Sequence, residues 1–272
     1  MPLPALPLFI EPKDLEPLLD RSDLVIIDFN KIESYQKNHI PGAVRLDYSS
    51  VVRIEKPVFG LLPDQETLTQ VFSNIGLSPD KHAILYDEEG NGMACRTAWT
   101  LEVCGFHQFS ILNGGLVSWF NEGHPVESQE RTPVPAKFVA KYSDTPIASK
   151  AYILEQLSNP NIRILDARTP EEYRGEKKIV DKVGHIPGAV NMNWLESINA
   201  NHNARLKTKD ELRNQLASLG FTPDKEIIAY CQSHQRSAHV YMTLRHLGYP
   251  KVRGFPGSWS DWGSDPATPV EC

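Results

Sequence analysis

Glu226-Ile227-Ile228-Ala229-Tyr230-Cys231-Gln232-Ser233-His234-Gln235-Arg236-Ser237 is the stretch from which the rest of the chain can be read. Its first five residues are short and apolar enough for a buried strand. Beyond it Val240, Tyr241, Leu244 and Leu247 recur at helical spacing until Gly248 and Pro250 end the pattern. Cys231 therefore falls at a strand's carboxyl end, in a tight turn that opens a helix. Backbone N–H groups in such a turn point inward, and a helix start adds partial positive charge. Arg236 brings a full charge at the loop's far end, with no acid between it and Cys231. This setting favours a thiolate and an anion docked above it, so Cys231 reads as a nucleophile. The competing reading is a buried structural cysteine, a common fate for this residue type. The polar run that follows Cys231 argues against it.

Outward from this loop, the chain proves to be written twice. His39-Ile40-Pro41-Gly42-Ala43-Val44 recurs as His185-Ile186-Pro187-Gly188-Ala189-Val190, and the strand Leu24–Asp28 recurs at 162–166. Ile84-Leu85-Tyr86 answers Ile228-Ala229-Tyr230, Trp119 answers Trp262, and Pro125-Val126-Glu127 answers Pro269-Val270-Glu271. From Gly76 onward the two copies are offset by 144 residues. The boundaries read as a first domain over 1–128, a proline-bearing linker over 129–149 and a second domain over 150–272. Strands alternating with helices at this spacing predict an α/β fold, a parallel sheet with helices on both faces in each copy. Ligands of such sheets bind beyond the strands' carboxyl ends, where Cys231 lies.

The duplication is an internal control. The counterpart of Cys231 is Asp87, and that of Arg236 is Gly92. The first loop, Asp87-Glu88-Glu89-Gly90-Asn91-Gly92-Met93, has three acids and no base, so it is expected to repel an anion and to be catalytically inactive. Tyr86, or residues near Asp87, would then cover one side of the site. His39 and His185 open identical turns in both copies, which favours a structural role. Arg168 follows Asp166 where the first copy has Asn30, and it reads either as a second cation for an anionic substrate or as a salt bridge. Cys95 and Cys104 lie in the helix equivalent to the one after Cys231 and read as packing.

A composition of 40% hydrophobic and 23% charged residues in 272 fits a globular protein of two domains. The net charge of −6, with no basic run, argues against nucleic-acid binding. No apolar run is long enough for a membrane span, and the first twelve residues lack the basic start of a signal peptide. Four cysteines without a CxxC pair suit a reducing, cytoplasmic location. Cys231, His234, His239 and His246 do not complete a tetrahedral set, so no metal is expected.

The two tandem copies, the repeated His-Ile-Pro-Gly-Ala-Val turn, Asp166-Ala167-Arg168 after the second copy's first strand, and the strand–Cys231–loop–Arg236–helix together resemble the two-domain rhodaneses. The likeness covers essentially the whole chain and is closest to the bacterial type. Gly257-Ser258-Trp259-Ser260-Asp261-Trp262-Gly263 is similar to that family's end. The resemblance implies two rhodanese-like domains and a thiosulfate:cyanide sulfurtransferase that needs no cofactor. Cys231 would carry the transferred sulfur as a persulfide, Gln232, Ser233, His234 and Gln235 would line the anion-binding loop, and Arg236 and Arg168 would neutralise the donor. The loop departs from the vertebrate type, which has basic residues after the cysteine, and from the glycine-rich mercaptopyruvate branch. Thiosulfate is therefore favoured over 3-mercaptopyruvate, with another thiophilic acceptor able to replace cyanide. Two rivals are a cysteine–arginine phosphatase, whose loop has about five residues between the two, and a persulfide carrier without turnover.

Overall fold

A computed structural model describes residues 5–272 and divides the chain into two compact units, neither a contiguous run of sequence. Of the described residues, the first comprises 5–51, Pro63–Ser143 and Asn199–Leu206; the second comprises Val52–Leu62, Asp144–Ile198 and Lys207–Cys272. Each thus incorporates a short segment from the opposite half of the sequence.

The first unit holds a five-stranded parallel sheet in the order Phe9–Ile10, Phe109–Leu112, His82–Tyr86, Leu24–Asp28, Val44–Arg45. The second holds a four-stranded parallel sheet in the order Val252–Gly254, Glu226–Tyr230, Ile162–Asp166, Val190–Asn191. A parallel bridge from Ile147 to Gly254 stands where the first unit has its edge strand. The central strands are buried in all but their first residue, as parallel strands covered on both faces must be, which explains their unalternating apolar runs. The helix expected after Cys231 spans Arg236–His246, and its counterpart spans Gly92–Val103.

The repeated turn does the same work in each unit. His39 bridges Glu127 and stacks on Tyr35 at 3.9 Å; His185 bridges Glu271 and stacks on Tyr173 at 3.8 Å. The tyrosine hydroxyls donate to the carbonyls of Ala43 and Ala189 within the turns. The two histidines pin the closing strand of each copy, the structural role expected of them. Residues 129–149 form no helix or strand, but Phe138 is buried against Phe72 and Phe106 in the first unit. Among the described residues, no helix is long and apolar enough to cross a membrane.

Candidate active site: the Cys231 loop

Strand Glu226–Tyr230 delivers Cys231 to the sheet's carboxyl edge, and the loop is held there by its outward carbonyls. The Cys231 carbonyl accepts from Trp259 N–H at 2.9 Å, and that of Gln232 accepts from Ser260 N–H at 3.0 Å. The Cys231 N–H donates to Ser258 Oγ at 3.2 Å. With its carbonyls tied to Ser258–Trp262, the loop turns its N–H groups inward. Those of Ser233 and Ser237 donate to the Cys231 sulfur, as does the Ser237 hydroxyl. Gln235 caps helix Arg236–His246 without a side-chain hydrogen bond, which leaves that helix start open to an anion.

Cys231 is 1% exposed. Burial pushes its thiol up, but the Arg236 charge, the Ser237 hydroxyl and the two N–H groups outweigh it and hold the thiol below the ordinary range. Cys95 moves the other way: burial, then the nearby Asp87, raise it well above that range. Burial alone pushes Cys104 up to about 12. Both pack in the core of the first unit.

Arg236 hydrogen-bonds the Cys231 sulfur and is itself gripped by Glu172 in a two-pronged pair at 2.7 and 2.9 Å. Glu172 is 3% exposed. Burial pushes its carboxyl up, but the Arg236 hydrogen bond and charge bring it down to about 2. Sequence reasoning missed this residue, although it left a signal. Thr169-Pro170-Glu171-Glu172 is a capping box with proline at the first helical position, and both reciprocal bonds form.

Arg168 is held by the acid at the end of the strand it follows. It is 1% exposed; its Nε and Nη2 engage Asp166 at 2.6–3.0 Å, Nη2 also donates to the Gly184 carbonyl at 2.7 Å, and its guanidinium lies over Trp259 at 4.4 Å. The pair is buried and lies within one unit, which is neither the surface nor the interdomain salt bridge that the sequence offered as the alternative to substrate binding.

A segment distant in sequence completes the loop's surroundings within the same unit. Strands Arg53–Glu55 and Val58–Leu61 form an antiparallel hairpin. The Phe59 N–H donates to Ser260 Oγ at 2.9 Å, and its carbonyl accepts from the same hydroxyl at 3.2 Å. Gly60, at φ +81°, sits so close that a Cβ there would lie 2.1 Å from the Ser233 carbonyl oxygen.

The equivalent loop of the first unit turns its N–H groups onto a carboxyl of its own, whose pKa burial nevertheless raises. The buried Asp87 carboxylate accepts from the N–H groups of Glu89, Asn91, Met93 and Ala94 at 2.7–3.1 Å. Glu89 and Met93 are the counterparts of Ser233 and Ser237, the residues whose N–H groups reach Cys231. Tyr86 directs its hydroxyl to Asp28 and receives the Ile40 N–H. Among the described residues, no group of His, Cys, Asp and Glu gathers that could hold a metal.

The site is thus a single cysteine set among main-chain amides beside a guanidinium, in one copy of a duplicated parallel α/β chain. Residues 11–122 and 149–265 each match the rhodanese-like domain model. The chain is 40% identical over 267 residues to a thiosulfate sulfurtransferase of Azotobacter vinelandii, covering 98% of both. It is 33% identical to a 3-mercaptopyruvate sulfurtransferase of Escherichia coli (strain K12), covering 90% of this chain and 87% of the relative. Among solved structures, the anaerobic ergothioneine biosynthesis enzyme of Chlorobium limicola shares the fold with a TM-score of 0.84 at 20% identity, covering 97% of this chain and 70% of that one. The chain belongs to the rhodanese-like domain family.

Proposed function

We propose that the protein is a thiosulfate sulfurtransferase that works through a persulfide on Cys231. The Cys231 thiolate attacks the outer sulfur of thiosulfate, the S–S bond of the donor breaks, and sulfite departs with its electron pair. The new Cys–S–S⁻ then gives its outer sulfur to a thiophilic acceptor; with cyanide, thiocyanate leaves and the thiolate is restored. No net proton is consumed in either step. The inward N–H groups and Arg236 bind the persulfide anion by charge-assisted hydrogen bonds, and Arg236 holds the dianionic donor in line. Gln232, Ser233, His234 and Gln235 contribute the loop that encircles the sulfur. The first domain, 1–128, is inactive because Asp87 replaces the nucleophile; 129–149 links it to the catalytic domain, 150–272. A reducing cytoplasm would keep the thiol free.

One observation carries this reading: amides at two equivalent positions hold a sulfur in one copy and a carboxyl in the other. The sulfur-bearing copy has Arg236 where its sister has Gly92. Four residues separate Cys231 from Arg236, a loop sized for a single anionic atom rather than a phosphate.

The test is thiocyanate production from thiosulfate and cyanide, with intact-mass detection of one added sulfur on Cys231. Cys231→Ser should lower the rate by about 10⁴-fold or more while keeping the fold. Loading from 3-mercaptopyruvate but not thiosulfate, hydrolysis of an aryl phosphate, or loading without turnover would each replace the proposal.

A further inference from the structure

The sulfur of Cys231 is not the end of its hydrogen-bond chain. The Ser237 hydroxyl that donates to it also meets His234 Nδ1 at 2.7 Å, and Ser237 and His234 are both fully buried. A hydroxyl has one proton. If that proton goes to the sulfur, the Ser237 oxygen must accept from His234, which requires the ring to carry its proton on Nδ1.

The duplicated loop shows that the fold does not ask for this histidine. His234 adopts φ +60°, the left-handed region that favours glycine. Its counterpart is Gly90, at φ +85° in the same turn. The counterpart of Ser237 is Met93, which has no hydroxyl. Histidine and serine therefore appear together at positions where the copy without a nucleophile has neither, and the histidine occupies a backbone conformation that its sister relieves with glycine.

We propose that His234 is a positioning residue for the nucleophile: its Nδ1–H holds the Ser237 oxygen so that the hydroxyl proton is committed to the Cys231 sulfur. The array thus stabilises the anionic sulfur by one oriented hydrogen bond, in the free enzyme and again in the persulfide. This extends the sulfur-transfer reading and rests on it for the persulfide only. The charges beside the array are Arg236, on the helix that Ser237 belongs to, and Glu172, which grips it. His239, one turn along, is neutral at pH 7 because burial pushes it down to about 4.

The experiment titrates the Cys231 thiolate by its ultraviolet absorbance and by iodoacetamide alkylation, without any sulfur donor, in a Cys272→Ser background that removes the exposed thiol. It therefore stands whether or not the sulfurtransferase assignment does. His234→Gly restores the residue that the sister loop uses, and should raise the thiolate midpoint by about one pH unit. Ser237→Ala should raise it at least as far. Ser237→Thr, which keeps the hydroxyl, should stay near the parent, as should His234→Asn, whose side-chain amide supplies an N–H and tolerates positive φ. The double variant His234→Gly/Ser237→Ala should match Ser237→Ala alone, because the histidine acts through the serine. A His234→Gly midpoint equal to the parent's, or a double variant in which the two shifts add, would overturn the proposal.

Discussion

Arg168 is buried and Arg236 half-buried, each against an acid, yet their circumstances differ. Arg236 touches the sulfur and shares its charge with Glu172; Arg168 is closed in by Asp166, Gly184 and Trp259. The first copy shows what the Asp166 site becomes without its arginine. There Asn30 stands in, and burial, against the Tyr86 hydrogen bond, pushes Asp28 up to about 6. An acid whose folded pKa is raised binds protons more tightly when folded, so stability grows as pH falls from about 6 towards the unfolded value. Arg168→Asn should hand Asp166 the same property. The loss of stability, about 3 kcal/mol or more at pH 8 for a broken buried pair, should shrink measurably by pH 5 in urea titrations. Its kcat/KM for thiosulfate, taken where the variant is folded, should stay within a few-fold of wild type; a loss like that of Arg236→Ala would return Arg168 to the substrate. Glu172 has the opposite sign. Its folded pKa is depressed to about 2, so its contribution is complete above its ordinary range and disappears as pH falls through about 2. Glu172→Gln should flatten stability across that acid window. At pH 7 it should reduce kcat/KM about tenfold or more, because Arg236 is no longer held in place.

Among the elements, the hairpin Arg53–Leu61 deserves the strongest test, since it is formed far from the loop it touches. Phe59 and Ser260 are separated by 201 residues. Gly60→Ala must displace either the hairpin or the Ser233 carbonyl, and with it the loop whose N–H groups reach the sulfur. The expected result is a loss of kcat/KM of about tenfold or more with the fold retained. Gly188→Ala is the matched control: φ is +72° there, but a Cβ would meet nothing within 4 Å. It should cost about 1 kcal/mol of stability from backbone strain and leave the rate alone. Equal effects on rate would reduce the hairpin to scaffolding. The contrast also marks what the sequence could disclose. Strand Glu226–Tyr230, the helix behind it and the repeated turn were readable because each is set by local periodicity or by Pro and Gly chemistry. The hairpin's place was not, because no pattern within residues 52–62 encodes a partner two hundred positions away. Glu172 lay between these cases: its capping box was visible, but its grip on Arg236 depends on tertiary structure.

Across the whole molecule, the two copies amount to one anion cradle built twice and filled differently. The acidic residues of the first loop were plain in the sequence and suggested repulsion. What they concealed is that Asp87 turns inward, and main-chain N–H groups do not depend on side-chain identity. The amide nest is therefore common property, and the difference in chemistry must come from what is added to it: a sulfur, the Arg236 guanidinium, and the His234–Ser237 pair. Asp87→Cys combined with Cys231→Ser separates these contributions, because it places a thiol in the first nest while Gly92 still occupies the arginine position. Burial then raises that thiol and no arginine stands at the position of Arg236, so its midpoint should lie about one pH unit or more above that of Cys231. No sulfur should be taken from thiosulfate, as read by intact mass on protein verified as folded by circular dichroism. If the transplanted thiol instead loaded with sulfur, amides alone would suffice, and the asymmetry between the copies would reduce to the presence or absence of the nucleophile.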